Sequence, residues 1–407
     1  MTTLLSSSGS PAVEPIARLA EHGLPAEAVR AEIAALRAGD HDYRDGTVFN
    51  SICSSPVPLA AEVFTAALEV NRGDDRLFPS ARQAEAAVGR MLGDLFDLPD
   101  ACGVATSGGT EANLLAVQAA VLRWRRRHGD RGRPPVVLGA GAHFSFEKIC
   151  RLLAVEPVVA RLGPGYRVDP ADVLRKIRPD TALVVLTAGT SETGAGDEIE
   201  AVAARAAELG VPVHVDAATG GFLIPFARRL GHDLPYCGFA VPGVISLTVD
   251  PHKYGGAPIP AGYLLFRHAE DRDALRTASH YRGTADHFGL LGTRPGAGML
   301  AAYAALRHLG RAGYTAQAAE LFALRDEFLA RLADAGIAPA YRPDLTVVGF
   351  RDPDPEGLLA ALAERGLIVS LARRLGLIRV VVHRHQRAGQ LARLADTVAA
   401  LRGRRKG

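Results

Sequence analysis

The chain has 407 residues, enough for one large α/β domain together with a smaller one. Hydrophobic residues make up 48% and charged residues 22% of the chain, a composition typical of a protein that buries a large core. The formal net charge of +3 is too small to indicate nucleic acid or an anionic membrane as a partner. The sequence contains no uncharged run of about 18 apolar residues, so no membrane-spanning helix is predicted.

The cysteines and the two chain ends set further limits. The four cysteines are scattered without a CxxC pattern, so we expect neither a disulfide framework nor a metal site, and a reducing cytoplasm is favoured. The first residues lack a basic segment followed by an apolar one, so no secretory signal is expected. The short basic tail from Arg402 to Lys406 is interpreted as a solvated end, because no domain-wide basic patch accompanies it.

The first 50 residues are predicted to form an N-terminal arm. Residues 1–14 are rich in Ser, Thr and Pro and are expected to be disordered. Apolar residues three and four positions apart then predict a helix from Pro15 to about Arg37. A polar, turn-rich stretch follows and ends at Asn50, so the globular part is expected to begin at residue 51.

Residues 51–290 are predicted to form one large domain, in which helical patterns and short apolar runs alternate from about residue 85 to about residue 275. The expected helices are 84–96, 111–127, 145–154, 170–177 and 199–209, and the expected strands are 135–139, 182–187, 211–215, 244–249 and 262–266. Alternation of this kind indicates a mostly parallel central sheet with helices on both faces. Functional residues of such sheets gather at the carboxyl ends of the strands.

Residues 291–407 are predicted to form a small C-terminal α/β domain. A helical pattern extends from about residue 295 to residue 334. Beyond it, the expected strands are 346–350 and 377–382, and the expected helices are 356–365 and 388–402.

A lysine at the end of a strand is the first chemical signal. The segment SLTVDPHKYGGAPIPAG passes from a β-rich run through His252 to Lys253 and then into glycines and prolines. A lysine amine forms Schiff bases with carbonyl compounds and with pyridoxal phosphate (PLP), and glycine lets a flat ring approach the backbone. A surface lysine in a turn is the stronger explanation if this segment is taken alone.

An acidic residue ends another expected strand. In VPVHVDAATGGF the apolar run stops at Asp216, and the small Ala218 would leave room for a ring. A carboxylate beside the pyridine nitrogen of PLP keeps that nitrogen protonated, and the protonated ring stabilises a carbanion at Cα. The alternative is that Asp216 only caps the helix that follows.

Three further positions would complete a cofactor site. TSGGTEAN opens a long amphipathic helix, where Gly109 and Thr110 would bind a phosphate, although an ordinary N-cap by Ser107 or Thr110 explains the same letters. His143 follows an apolar strand and a Gly-Ala-Gly turn, and it would stack on the ring or serve only as a hydrogen-bonding residue. Thr190, at another strand end, would contact the ring or its hydroxyl.

The motifs SGGTEAN, HFSF, HVDAA, DPHK and GTRPGA together resemble the group II PLP-dependent amino acid decarboxylases, and the branch they resemble most is the archaeal L-tyrosine/L-aspartate decarboxylases. The resemblance covers nearly the whole chain, from about Asp42 to Leu401. It implies PLP fold type I, the fold of aspartate aminotransferase. The implied activity is decarboxylation of an L-amino acid to the amine and CO2 through a Schiff base on Lys253.

The resemblance also implies roles for residues of the cofactor site. Lys253 would bind PLP, and Asp216 would pair with the pyridine nitrogen. Ala218 would pack on one face of the ring, and His143 would stack on the other. The residues implied to hold the phosphate are Gly109, Thr110 and His252.

A homodimer with a shared active site is implied as well. Gly292 and Thr293, in GTRPGA, would reach the phosphate from the second subunit. Tyr281 resembles part of the mobile loop that protonates the intermediate, and His287 in the same stretch is the alternative donor.

Two residues are implied to meet the substrate. Cys53 lies in the early motif CSSPVP, and Arg379 stands where the family places an arginine that approaches a substrate carboxylate. A structural ion pair is the alternative role for Arg379. The chain also departs from the family pattern at five positions, several of which we expect to face the substrate: Val57, Asp75, Arg76, Thr219 and Tyr254.

These departures leave other PLP reactions open. The alternatives are a lyase (retro-aldol on a phosphorylated amino alcohol, or β-eliminating), a transaminase, and a decarboxylation-coupled oxidative deaminase acting on an unusual amino acid. A non-catalytic scaffold on the same fold is disfavoured, because Lys253, Asp216 and His143 are all present.

Overall fold

The computed structural model describes residues 18–130, 132–281 and 286–403. Its helices are α1 (Ala26–Leu36), α2 (Pro58–Ala66), α3 (Pro79–Leu95), α4 (Gly109–His128), α5 (Ser145–Leu152), α6 (Pro170–Lys176), α7 (Ile199–Glu208), α8 (Ile224–Arg229), α9 (Ala269–Asp273), α10 (Ala297–Asp334), α11 (Pro355–Ala363) and α12 (Ala388–Gly403). Its strands are β1 (Cys102–Thr106), β2 (Pro135–Gly139), β3 (Glu156–Ala160), β4 (Leu183–Thr187), β5 (Val213–Asp216), β6 (Val244–Val249), β7 (Gly262–Phe266), β8 (Thr277–Ala278), β9 (Asp286–His287), β10 (Val347–Phe350), β11 (Ser370–Ala372) and β12 (Leu377–Val381).

A seven-stranded sheet forms the centre of the molecule, with the strand order β1-β7-β6-β5-β4-β2-β3. The pairs from β3 to β6 are parallel, whereas β7 runs antiparallel to both β1 and β6. Every residue of β2, β4 and β7 is buried, because helices cover both faces of the sheet. The predicted architecture, a mostly parallel sheet flanked by helices, is therefore confirmed.

The register of the central strands places three polar residues side by side. Thr187 at the end of β4 pairs with Asp216 at the end of β5, and Asp216 pairs with Thr248 near the end of β6. Parallel strands end at the same edge of a sheet, and that edge is where ligands bind in open α/β sheets. The chain that follows β6 carries Lys253 to the same edge.

The C-terminal part has its own small sheet, with the order β10-β12-β11 and antiparallel pairing throughout. Helix α10 is interrupted at Gly310, whose φ of 57° and ψ of −175° are not helical. Before this break, Ala301 and Ala305 pack near α2, and after it Phe328 belongs to the core beneath the small sheet. Phe49 also enters that core. The proposed boundary between the large and small domains, at residues 290 and 291, stays a prediction.

The N-terminal helix is shorter than predicted. Helix α1 begins at Ala26 rather than at Pro15, and residues 18–25 are not helical. Pro25 explains this start, because a proline disfavours the α conformation in the residue before it. The predicted disorder of residues 1–14 concerns a segment outside the described residues.

Seven of the described helices and strands in the large domain were not predicted: α2, α8, α9, β1, β3, β8 and β9. Strand β3 lies at the sheet edge with an alternating burial pattern, and β1 begins with Cys-Gly, so neither presents a continuous run of β-branched residues. Across the described part of the chain, the helices are too short or too polar to cross a membrane.

Candidate active site

A cavity of about 310 Å³ opens at the carboxyl ends of the central strands, beside the start of α4. Most of its lining comes from four segments: the start of α4, the loops after β4 and β5, and the loop after β6. The lining residues are Ser107, Gly108, Gly109, Thr110, Asn113, His143, Thr187, Gly189, Ser191, Asp216, Ala218, Thr219, Asp250, His252 and Lys253. Seven of the residues predicted for the cofactor site therefore meet in one cavity.

The amine of Lys253 faces a buried carboxylate. Its Nζ lies 3.3 Å from Oδ2 of Asp250, and the Nε2 of His252 lies 3.6 Å from the same oxygen. Asp250 is 2% exposed, and its Oδ1 has no hydrogen-bond partner among the described residues. The ion pair holds the amine in the cavity at the end of β6, where it is accessible to a carbonyl compound.

Asp216 receives hydrogen bonds at both carboxylate oxygens. The side-chain amide of Asn113 donates to Oδ2 over 2.9 Å, and the backbone N–H of Ala218 donates to Oδ1 over 3.1 Å. Asp216 is only 5% exposed. The two donors therefore fix the orientation of this carboxylate at the edge of the cavity.

The start of α4 has the features of an anion site. Its N-cap residue is Gly108, which has no side chain to cover the free N–H groups of the first turn. Ser107 does not act as the cap; instead, its backbone N–H donates to Glu111 over 2.7 Å. A Cβ added at Gly109 would lie 3.0 Å from both Ala218 and Asp250, so the turn has no room for a larger residue.

His252 presents a proton donor near this turn. The backbone N–H of Ala261 donates to its Nδ1 over 3.2 Å, which leaves the proton of the neutral ring on Nε2. Burial lowers the pKa of this imidazole, while Asp250 opposes the shift. The ring lines the cavity, and in its neutral form the proton on Nε2 is available to donate to a phosphate.

His143 lines the cavity as predicted, but Thr190 does not. The Nδ1 of His143 lies 2.8 Å from the hydroxyl of Ser145, and burial lowers the pKa of the ring. The hydroxyl of Thr190 lies 2.8 Å from that of Thr193, and Thr190 is 3% exposed. The neighbours of Thr190 in sequence line the cavity instead, because the turn after β4 directs this side chain inward.

Arg379 is tied to the backbone beside the cavity. Its Nε donates to the carbonyl of Ser191 over 2.7 Å, and its Nη1 donates to the carbonyl of Asn50 over the same distance. Within the described ranges, no carboxylate lies within salt-bridge distance of this guanidinium, so the alternative of a structural ion pair finds no partner. Burial lowers the pKa of Arg379.

Cys53 also lies near Lys253. Burial raises the pKa of its thiol, and the nearby charge of Lys253 opposes this shift. The segment around it is held by the chain that follows β12, because the Nε2 of His383 donates to the carbonyl of Ile52 over 3.0 Å. His383 in turn stacks on Tyr254, with ring centroids 4.3 Å apart.

The departures from the family pattern occupy different environments. Thr219 lines the cavity, whereas Tyr254 is fully buried and shares a hydrogen bond of 2.7 Å with Thr346. Val57 packs with α2, and Arg76 is exposed beside Asp74. Thr219 is thus the departure with direct access to a ligand in this cavity.

The residues implied to protonate the intermediate and those implied to act from a second subunit lie elsewhere on the surface. Tyr281, His287 and Gly292 line a separate depression beside the middle of α4. Tyr281 is 80% exposed, and Thr293 follows Gly292 in the same exposed segment. The fold of one chain therefore does not bring them to its own Lys253.

Asn113 and Asp250 are site residues that were not predicted. Asn113 lies one turn after Gly109 and Thr110 on the same face of α4, and helical spacing alone would have placed it beside them. Asp250 stands at the end of β6, three residues before Lys253. Like Asp216, it is an acidic residue at the end of a buried strand, so the pattern that identified Asp216 would also have identified it.

His214 leads to a prediction about stability and pH. Burial lowers the pKa of this imidazole from 6.5 to about 4, because the charged form loses its hydration, and Asp216 opposes the shift only partly. Between these pH values the unfolded chain binds a proton that the folded chain does not bind. The free energy of unfolding should therefore fall by about 3 kcal/mol from this group as the pH decreases through the window.

Chemical unfolding of the wild type and of His214→Gln at about pH 7 and about pH 4 tests this expectation. The wild type should lose more stability than the variant between the two conditions, whatever their difference at neutral pH. Equal losses in the two proteins would contradict the assignment of this pH dependence to His214.

The cavity meets the requirements of PLP. A flat ring needs an amine, a carboxylate partner and packing surfaces, which Lys253, Asp216, Ala218 and His143 supply around one space. A phosphate needs free N–H groups and has them at the start of α4, where glycine leaves the backbone uncovered. The residues present therefore fit the group.

Sequence comparison with known proteins supports a PLP site. Residues 39–351 match the family model described as the pyridoxal-dependent decarboxylase conserved domain. The L-aspartate/L-glutamate decarboxylase of Pyrococcus horikoshii is 39% identical over 366 residues, which cover 89% of this chain and 94% of the relative. A Methanopyrus kandleri protein named "Probable L-tyrosine/L-aspartate decarboxylase" is 41% identical over 374 residues, covering 89% of this chain and 98% of the relative.

Solved structures share the fold. A sphingosine-1-phosphate lyase of Burkholderia pseudomallei has a TM-score of 0.87 at 26% identity, covering 96% of this chain and 93% of that chain. A glutamate decarboxylase of Lactobacillus brevis has a TM-score of 0.85 at 21% identity, covering 95% and 94% of the two chains. PLP fold type I is confirmed, and the chain belongs to the pyridoxal-dependent decarboxylase family, with PLP as its cofactor.

Proposed function

We propose that Lys253 is the residue that binds PLP and that the chain uses it to convert an L-amino acid into the amine and CO2. The observation that carries this assignment is the meeting of Lys253, Asp216 and the uncapped start of α4 in one cavity. Bound PLP supplies an electron sink for the charge left at Cα when CO2 departs. Asp216 keeps the ring nitrogen protonated, and the N–H groups of α4 with His252 hold the phosphate.

The remaining lining residues orient the substrate. His143 packs against the ring and limits the positions that the substrate carboxyl can take. Orienting the substrate so that the bond to its carboxyl group, rather than another bond at Cα, is the one that breaks would favour loss of CO2. Arg379 contacts the carbonyl of Ser191, which lines the cavity, and Cys53 lies near Lys253, so both would border the substrate side. A guanidinium without a carboxylate partner among the described residues is suited to bind a second carboxylate of the substrate.

Mass spectrometry of the products formed from a panel of L-amino acids tests the proposed reaction. We expect one or a few substrates to give an amine lighter by one CO2, with acidic amino acids and tyrosine as the first candidates because relatives are named for them. Keto acids, aldehydes or cleavage of a phosphorylated amino alcohol would instead assign the chain to one of the other PLP reactions. The last of these is raised by the structural similarity to a sphingosine-1-phosphate lyase.

The same panel with Arg379→Gln examines the substrate contact. If Arg379 binds a side-chain carboxylate, KM for acidic amino acids should rise by about tenfold to a hundredfold, as expected for a lost charged hydrogen bond. The KM for a substrate without that carboxylate should change much less. An equal loss for both substrates would mean that Arg379 only holds Ser191 and Asn50 together.

We further propose a homodimer with a shared active site in the cytoplasm. The exposed positions of Tyr281 and Gly292 support the shared site, since these residues are accessible to a second chain. Helix α1 has no buried residue and exposes Val29 and Ile33, which gives a second subunit an apolar surface to cover. All four cysteines are free thiols, in keeping with a reducing compartment.

Mixing two inactive variants tests the shared site. Lys253→Ala removes the amine from the cavity, and Tyr281→Phe removes the proposed proton donor from the exposed loop. If Tyr281 acts on the partner's site, co-refolded mixtures should regain up to about a quarter of wild-type activity, because mixed dimers hold one intact site. Mixtures no more active than the separate variants would contradict sharing, provided that sedimentation shows mixed dimers to have formed.

A further inference from the structure

A line of buried polar side chains begins at the cavity with Asp216 and Asn113 and continues into the interior. Asn113 on α4, His214 on β5 and Ser246 on β6 are each at most 1% exposed. The Oδ1 of Asn113 lies 3.0 Å from the Nε2 of His214, and the Nδ1 of His214 lies 2.8 Å from the hydroxyl of Ser246. Together with the bond from Asn113 to Asp216, these contacts form a continuous chain of hydrogen bonds.

The direction of each bond in this chain follows from Asp216. A carboxylate only accepts hydrogen bonds, so the amide nitrogen of Asn113 must face it and the amide oxygen must face His214. That oxygen requires a proton on the Nε2 of His214. The Nδ1 is then bare and accepts the hydroxyl proton of Ser246, so every donor in the chain points toward Asp216.

Alternative arrangements are disfavoured by the surroundings. Rotating the amide of Asn113 would place its oxygen against Oδ2 of Asp216 at 2.9 Å, so that two acceptors would face each other without a proton between them. A second contact of His214, with the hydroxyl oxygen of Thr248 at 3.4 Å from Nε2, is compatible with the same tautomer. Burial also lowers the pKa of His214 to about 4, which keeps the ring neutral at physiological pH.

We propose that Asn113 and His214 are positioning residues that hold Asp216 as a carboxylate toward the ring nitrogen of the cofactor. This inference rests on the function proposed above. Donors aligned in a dry interior polarise one another, so the bond to Asp216 is strengthened by the bonds behind it. With both carboxylate oxygens held by donors, Asp216 keeps one orientation, in which it would face the ring nitrogen.

The chain has a second consequence for the site. Asn113 belongs to α4, whose first turn holds the proposed phosphate position, and His214 belongs to the strand that ends at Asp216. The bonds between them therefore fix the distance between the start of α4, which would bind the phosphate, and Asp216, which would bind the ring nitrogen of the same cofactor. Loss of this link should weaken cofactor binding as well as change the protonation of the bound ring.

The test measures PLP affinity and the pH dependence of the visible absorbance of the PLP-loaded protein. In Asn113→Leu and His214→Leu, affinity should fall by about tenfold to a hundredfold, as for hydrogen bonds to a charged group. The pH profile of the absorbance should shift in both variants. In His214→Gln, whose amide can donate to Asn113 and accept from Ser246, both properties should stay closer to the wild type.

Trp124→Phe is the matched control on the same helix. It removes a buried donor to the carbonyl of Asp180, three turns beyond Asn113, and should lower stability without changing affinity or the pH profile. If the leucine variants do not fold, Ser246→Ala tests the chain from its far end and should give a smaller shift of the same sign.

Wild-type affinity and an unchanged pH profile in variants that fold would overturn the inference, and the residues would then be structural only. The wild-type spectrum separates the two proposals. A wild type that never develops the absorbance of a lysine-bound cofactor would refute the proposed function itself. A normal wild-type spectrum with unaffected variants would refute only the role of the chain behind Asp216.

Discussion

Replacing Lys253 with alanine should abolish covalent retention of PLP and lower turnover by about 10³-fold or more, as expected when a covalent catalyst is removed. Lys253 is the lysine whose amine enters the cavity, 3.3 Å from the carboxylate of Asp250. Without it, the remaining contacts can still bind the cofactor, but nothing holds it covalently. The measurements are visible absorbance and borohydride reduction followed by peptide mass mapping, which in the wild type should locate PLP on the peptide containing Lys253.

Lys176→Ala is the control for a general effect of losing a lysine. Lys176 pairs with Asp172 on α6, away from the cavity, and its loss should cost no more than about 1 kcal/mol of stability and no activity. Partial recovery of Lys253→Ala by a small primary amine would show that the missing group is the amine itself. Wild-type turnover in Lys253→Ala would exclude the proposed mechanism.

Asp216→Asn should lower kcat by about 10²-fold to 10³-fold, the range seen when one preorganised electrostatic group is removed from a buried site. The substitution keeps the size of the side chain but removes the negative charge that holds the ring nitrogen protonated. It also gives Asn113 a neutral partner in place of an anion. Substrate binding should change less than kcat, because Asp216 lies behind the ring rather than beside the substrate.

Asp216→Glu supplies the matched comparison. It keeps the charge but adds a methylene group in a position that is 5% exposed, so it should weaken PLP binding while keeping a protonated ring. Steady-state kinetics and absorbance spectra of both variants distinguish charge from fit. If Asp216→Asn retained the wild-type kcat and spectrum, the carboxylate would have no electronic role.

Local sequence patterns correctly predicted several strands and the candidate residues at strand ends. Residues 135–139, 244–249 and 262–266 form strands with the predicted bounds, because each is a short run of mainly apolar residues next to glycine, proline or a polar turn. Strand ends also identified Asp216 and Lys253 as candidates, since a polar residue that follows a buried strand must emerge at the sheet edge. These signals depend on neighbours within a few positions.

Contacts between segments far apart in the chain were not predicted from the amino-acid sequence. Asn113 and Asp216 are 103 positions apart, and only the order of β5 and β6 under α4 brings them together. In the same way, Arg379 joins carbonyl groups from two remote loops. Thr190 shows the limit at short range, because the turn after β4 directs its side chain toward Thr193 rather than toward the cavity.

The amino-acid sequence by itself thus determined the fold class, the cofactor and the residue types at the strand ends, because periodicity and motif spacing are properties of short segments. The tertiary structure decided which of these residues share one cavity, which polar partners stand behind Asp216, and that Tyr281 and Gly292 lie outside the cavity of their own chain. The physical reason is that such contacts arise from strand order and helix packing, which join residues that no local pattern connects.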